Sequence, residues 1–246
     1  MLLDYVLALA DDQLILGHRL SEWCGKAPTL EEEMALANMG LDLIGQARHL
    51  YQYAAELDTQ GRSEDDLAYL RDERAYRNVL LLERPRGDFA YTQLRQYCYS
   101  SLMVLFWQAM QQSQDQRLAD IAAKAVPEMQ YHVQHSGEWV LRLGLGTTES
   151  ANRLNAAWQE ILPYLGELFQ MDTPEQALCT CGIAVDRHRL EQPWHDQLNA
   201  LLQEVGLFWR EVYPQSGGRE GRHSEALGYL LCEMQYLQRT HPGARW

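Results

Sequence analysis

Phe89-Ala-Tyr-Thr-Gln-Leu-Arg-Gln-Tyr-Cys-Tyr-Ser-Ser-Leu-Met-Val-Leu-Phe-Trp-Gln-Ala-Met110 is the stretch whose reading decides the fold. No carboxylate occurs between Asp88 and Asp115, and Met103, Trp107 and Met110 carry the apolar spacing of a long core helix. In a four-helix bundle that holds two irons, the equivalent helix supplies a glutamate, and Glu-x-x-His pairs complete the ligand set. None of the eight histidines stands three residues after an acid on a credible helix. The chain reads as a metal-oxidase scaffold without the metal chemistry, which points to a role beside a catalytic partner.

Outward from that helix the pattern stays helical. A first helix is expected over residues 2–23, with Leu7, Leu14, Leu16 and Leu20 inward and Gly25 as a stop. Thr29 followed by Glu31, Glu32 and Glu33 is a strong helix start, because a hydroxyl cap and acids both suit the positive end of the dipole. That second helix runs to about Leu57, and Gly40 and Gly45 offer close approach to a neighbour. Ser63, Asp65 and Asp66 open a short helix, and residues 73–88 are less regular. The quoted helix extends to about Gln114, and a fourth covers 115–143 with Pro127 inside it, where a missing donor and crowding of Ala123 predict a kink. Later helices are expected at 150–169, after Thr173-Pro174, at 193–213 and at 224–239, with 216–221 a flexible loop. No linker is long enough to divide the chain, so one all-α domain over 1–246 is expected: a four-helix bundle with additional C-terminal helices.

Composition narrows the classes. A net charge of −13 argues against nucleic acid, which is met by a basic face. The five cysteines are odd in number, and Cys179-Thr-Cys181 has neither zinc nor thioredoxin spacing, so reduced thiols in a cytoplasmic protein are the reading. The apolar start lacks a basic leader and is interrupted by Asp4, Asp11 and Asp12. No run of eighteen apolar residues suggests a membrane span.

Candidate metal residues fall short as a set. Asp42 is the lone acid in the apolar centre of the second helix, but Gly45 stands where a histidine belongs. Glu128 is followed by Tyr131 at i+3, with His132 one residue further on. The sole Glu-x-x-His, Glu220 to His223, falls in a glycine loop. Lys124, one of only two lysines, lies four residues before Glu128. It either pairs with Asp42 or Glu128 in the core, as a buried carboxylate requires, or forms an ordinary surface pair. Five arginines within 71–86 suit an anionic ligand, a partner, or a solvated salt-bridge cluster. No catalytic residue is assigned.

Several longer strings carry a resemblance. Arg19-Leu-Ser-Glu-Trp-Cys-Gly25, Ala35-Leu-Ala-Asn-Met-Gly-Leu-Asp-Leu-Ile-Gly-Gln-Ala-Arg48, Arg71-Asp-Glu-Arg74, Gly182-Ile-Ala-Val-Asp186 and Glu233-Met-Gln-Tyr-Leu-Gln-Arg239 closely resemble the C subunits of bacterial phenylacetyl-CoA epoxidases. The likeness runs from the first helix to Trp246. It implies a ferritin-like bundle that binds no iron and pairs with a catalytic di-iron A subunit. Small accessory subunits and a reductase complete the complex, which uses O₂ and NADPH-derived electrons to epoxidise the ring of phenylacetyl-CoA. It also implies contacts to the thioester or the interface at Ala75, Tyr76, Arg77 and Asn78, and at Gln176, Ala177 and Leu178. Two rival classes stay open: a di-metal carboxylate oxidase in its own right, and a free-standing binding module built on the arginine segment.

Overall fold

The computed structural model describes residues 1–244, and Trp246, where the resemblance ends, lies outside the described residues. Every regular element among them is helical. In chain order the α-helices are α1 (Leu2–Ser21), α2 (Leu30–Leu57), α3 (Glu64–Tyr69), α4 (Leu80–Glu83), α5 (Phe89–Met110) and α6 (Gln116–Gly144). They continue as α7 (Thr148–Ile161), α8 (Thr173–Thr180), α9 (His188–Glu204), α10 (Glu225–Met234) and α11 (Tyr236–Thr240). None of these helices is long and apolar enough to cross a membrane. The chain forms two compact units, one of Met1–Pro85 with the segment from Ser216 onward, the other of Arg86–Gln215.

The first unit is built on the α1–α2 hairpin. Thr29 Oγ accepts the Glu32 N–H and starts α2, as the sequence predicts. The two helices meet at glycines: a Cβ on Gly17 would sit 2.9 Å from Ile44 Cγ1 and 3.1 Å from Gly40 O. Gly40 therefore does allow close approach, but Gly45 does not serve that purpose, since a Cβ there would meet nothing within 4 Å. Ser63 and Asp66 close a capping box on α3. The returning segment packs Leu227, Leu230 and Leu231 of α10 against Ile15 and Tyr76. The expected final helix is divided, because the buried Gln235 turns its side chain inward to Arg71 O and the Tyr76 hydroxyl.

The second unit is built on α5 and α6, started by the Asp88 and Asp115 side chains. Most of α5 is buried, and α6 runs through Pro127 over 29 residues. Phe169, Trp194, His195 and Trp209 cluster with ring centroids 4.6–6.3 Å apart, so these aromatics are packing anchors. Two expected helices differ in extent. The 150–169 segment becomes α7 followed by a 3₁₀ stretch, Leu162–Phe169, entered through Pro163, which has no N–H to continue the ladder. The expected 193–213 helix runs instead from His188 to Glu204 and stops at Gly206, whose φ of 70° closes a Schellman turn with Leu207 N–H on Leu202 O.

Candidate functional site

In the first unit the arginine segment is drawn inward by two acids of α1. Asp11 and Asp12 lie among the apolar residues of that helix and are both buried. Asp11 accepts from the Arg71 guanidinium, from the Tyr51 hydroxyl at 2.5 Å and from the Arg77 backbone N–H at 2.7 Å. Asp12 accepts the Val79 N–H at 2.9 Å and both Arg219 nitrogens, at 3.1 and 2.5 Å. Burial and the adjacent Asp11 charge push the Tyr51 phenol well above its ordinary range. Burial opposes the charge of Arg71, but Asp11 and the tyrosines hold its guanidinium even more firmly protonated.

A second knot lies at Glu83, whose side chain is fully enclosed. It accepts from Ser224 N–H at 2.6 Å, from His223 Nδ1 at 2.7 Å and from Asn78 Nδ2 at 2.9 Å. The other His223 nitrogen faces Tyr76 O at 3.0 Å. A carboxylate and a carbonyl can only accept, so this geometry holds the ring as an imidazolium. Burial opposes that charge, yet the hydrogen bond and charge of Glu83 win and raise the His223 pKa. Arg19 ties the same region to α10 by donating to Glu83 O and Ala226 O.

These networks decide several expectations. Of the five arginines in 71–86, Arg71 is buried in an intramolecular network, Arg77, Arg84 and Arg86 are half-buried and Arg74 is exposed. Tyr76 and Asn78 are completely buried, with the Tyr76 hydroxyl donating to Ala68 O and the Asn78 amide to Glu83. Ala75 is exposed and Arg77 half-buried, with its guanidinium on Arg74 O and Tyr76 O. Asp11, Asp12, Glu83 and Arg219 escaped the sequence reading as a set. The available signal was a pair of adjacent acids on an otherwise apolar helix.

The metal candidates fall in both units. Asp42 is half-buried in the first unit, and the face at Gly45 is open. Glu128 is half-buried in the second unit, and His132 is fully buried with Nδ1 3.2 Å from the Gln96 amide nitrogen. That contact uses the Nδ1 lone pair as an acceptor. Lys124 is exposed, so the buried charge pair does not form; a lysine on the outer face of α6 keeps its ammonium in water at no desolvation cost. Glu220 and His223 diverge, Glu220 to Arg222 at 2.6 Å and His223 to Glu83. No grouping of three or more His, Cys, Asp or Glu among the described residues is placed to hold a metal ion.

The second unit carries an open cleft of about 580 Å³ beside α8. Gly182, at φ 71°, ends α8 in another Schellman turn and directs residues 183–187 across its mouth. Ser113 Oγ donates to Ile183 O, and the buried Arg187 bonds Glu175 at 2.8 Å, which fixes that wall. Gln176, Cys179, Asp186, His188 and Arg189 line the space. Gln176 is exposed into it, Ala177 is half-buried, and Leu178 is buried beneath. The Cys179 thiol is pushed up to about 11 by burial and by the Glu175 and Asp186 charges, which makes it a poor nucleophile at neutral pH.

The C subunit of 1,2-phenylacetyl-CoA epoxidase from Escherichia coli (strain K12) is 45% identical over 243 residues, covering 98% of each chain. The phenylacetic acid catabolic protein family matches over residues 1–246. The chain belongs to that family.

Proposed function

We propose that this chain is the structural, non-catalytic C subunit of a phenylacetyl-CoA epoxidase. It keeps a catalytic di-iron subunit folded and active in ring epoxidation of phenylacetyl-CoA during aerobic phenylacetate breakdown. On this reading it acts in the cytoplasm as one ferritin-like domain, beside small accessory subunits and a reductase. The observation that carries the reading is the fate of the α1 acids. Asp11 and Asp12 commit their oxygens to arginines and backbone N–H groups, which builds a rigid support rather than a reactive centre. The full-length likeness to an epoxidase C subunit supplies the chemical context.

Of the two contact stretches implied by the resemblance, Gln176 to Leu178 is the one to retain. Gln176 reaches an open cleft that is roomy enough for part of an extended thioester. Co-expression with the catalytic subunit followed by size-exclusion chromatography tests the scaffold role. Co-elution as a stable complex is expected; separate elution refutes the role. Stoichiometric iron or manganese in the purified chain would instead favour an independent di-metal oxidase.

A further inference from the structure

We propose that a groove on the first unit, between α10, α11 and the Glu73–Ala75 turn, receives a basic, partly apolar segment from another subunit of the epoxidase. This rests on the epoxidase reading for the partner's identity, and on the groove itself for the partner's chemistry. The groove encloses about 630 Å³ and is lined by Asp72, Glu73, Glu225, Tyr229, Tyr236 and Arg239 among others. Tyr229 and Tyr236 are 70% and 63% exposed. Two tyrosines this open do not enclose a small ligand. They are instead the residue type that interfaces concentrate, since a ring buries large area at low entropic cost.

The charge around the rings is one-sided. Three carboxylates face one guanidinium, a net of −2. Asp72 already takes Arg239 at 3.3 Å, so the excess sits on Glu73 and Glu225. Glu73 lies against the backbone of α10 because Gly228 has no side chain: a Cβ there would be 3.0 Å from Glu73 Oε2. Covering these carboxylates with a neutral apolar surface would strip their water without compensation. A lysine or arginine meets both demands at once, with its charge on the carboxylates and its face on the tyrosine rings. The occupant is therefore cationic.

The exposed thiol of Cys232 lines the same groove and reports on its occupancy. The test co-expresses and purifies the whole epoxidase complex with the native chain, E73K/E225K, E73Q/E225Q or Y229A/Y236A, and reads the Kd from its dissociation on dilution, by analytical ultracentrifugation at low and high salt. All four changed positions lie at the surface, and thermal melts confirm equal folding. The Kd is expected to rise about tenfold or more for the lysine pair and less for the glutamine pair, with the differences shrinking at high salt. The tyrosine pair is expected to weaken binding about tenfold at either salt. Iodoacetamide alkylation of Cys232 should slow on complex formation relative to Cys24. Undiminished affinity in every variant with Cys232 alkylated at its free rate overturns the groove assignment and leaves the scaffold role standing. Absence of binding by the native chain overturns both. Protection of Cys232 that grows with the concentration of this chain alone assigns the groove to a second copy and also overturns the proposal.

Discussion

Alanine at position 17 would push a methyl group to 2.9 Å from the Ile44 side chain and 3.1 Å from the Gly40 carbonyl, and the latter is backbone that cannot swing aside. G17A is therefore expected to cost about 1–3 kcal/mol in urea unfolding. At position 45 a methyl group meets open space in a helix interior, so G45A should stabilise by about 0.5–1 kcal/mol through helix propensity alone. Equal effects at the two sites would contradict the hairpin geometry. The sequence suggested close approach at both Gly40 and Gly45 and gave no sign of Gly17, because glycine's lack of a side chain suits both contact and exposure. Asp11 is the other decisive residue. D11N leaves the buried Arg71 guanidinium without its counter-charge, and a loss of about 3–5 kcal/mol is expected. Equilibrium denaturation at pH 7 measures it, and a loss under about 1 kcal/mol would show that the pair is not the anchor described.

At the scale of elements, helix starts were legible and several helix ends were not. Thr29, Ser63, Asp88 and Asp115 cap by short-range bonds that their own sequence neighbours specify. The end of α9 depended on recognising Gly206 as a left-handed stop within a run whose apolar spacing continues to Trp209. The break at Gln235 depended on Arg71 and Tyr76, far away in sequence. The joint between α4 and the N-terminus of α10 has a pH signature. His223 has a folded pKa raised above its ordinary 6.5, so its contribution is fully present below that value. The contribution is lost as pH rises through the folded pKa. Unfolding free energy measured from about pH 6 to pH 9 should fall with a component that H223Q removes. A profile identical for both proteins would dissociate His223 from Glu83.

For the molecule as a whole, all-helical character could be read from composition and period, and the family from its longer strings. The buried polar networks could not be read. Most of their links join positions 60 or more residues apart, and no local spacing rule connects Asp12 with Val79 or with Arg219. The same distance hid the burial of Tyr76, whose neighbours Gln235 and His223 come from the returning segment. Deleting the chain from Ser216 onward is expected to expose Asp12 and Glu83 together and to abolish cooperative unfolding of the first unit, read by calorimetry. Retention of that transition would mean that residues 1–85 stand without it.

Arg219 reaches back 207 positions to Asp12. During translation the N-terminal helices therefore emerge long before their final counter-ion exists. Until Arg219 has cleared the ribosome, the newborn hairpin holds an unquenched acid in an apolar face. The intervening 130 residues of the second unit can meanwhile organise around α5 and α6. The last segment to be made thus closes an ionic latch and completes the apolar cluster of Ile15 and Tyr76 in one step. A stalled or prematurely terminated polypeptide would keep that latch open, which gives a quality-control protease a clear cue.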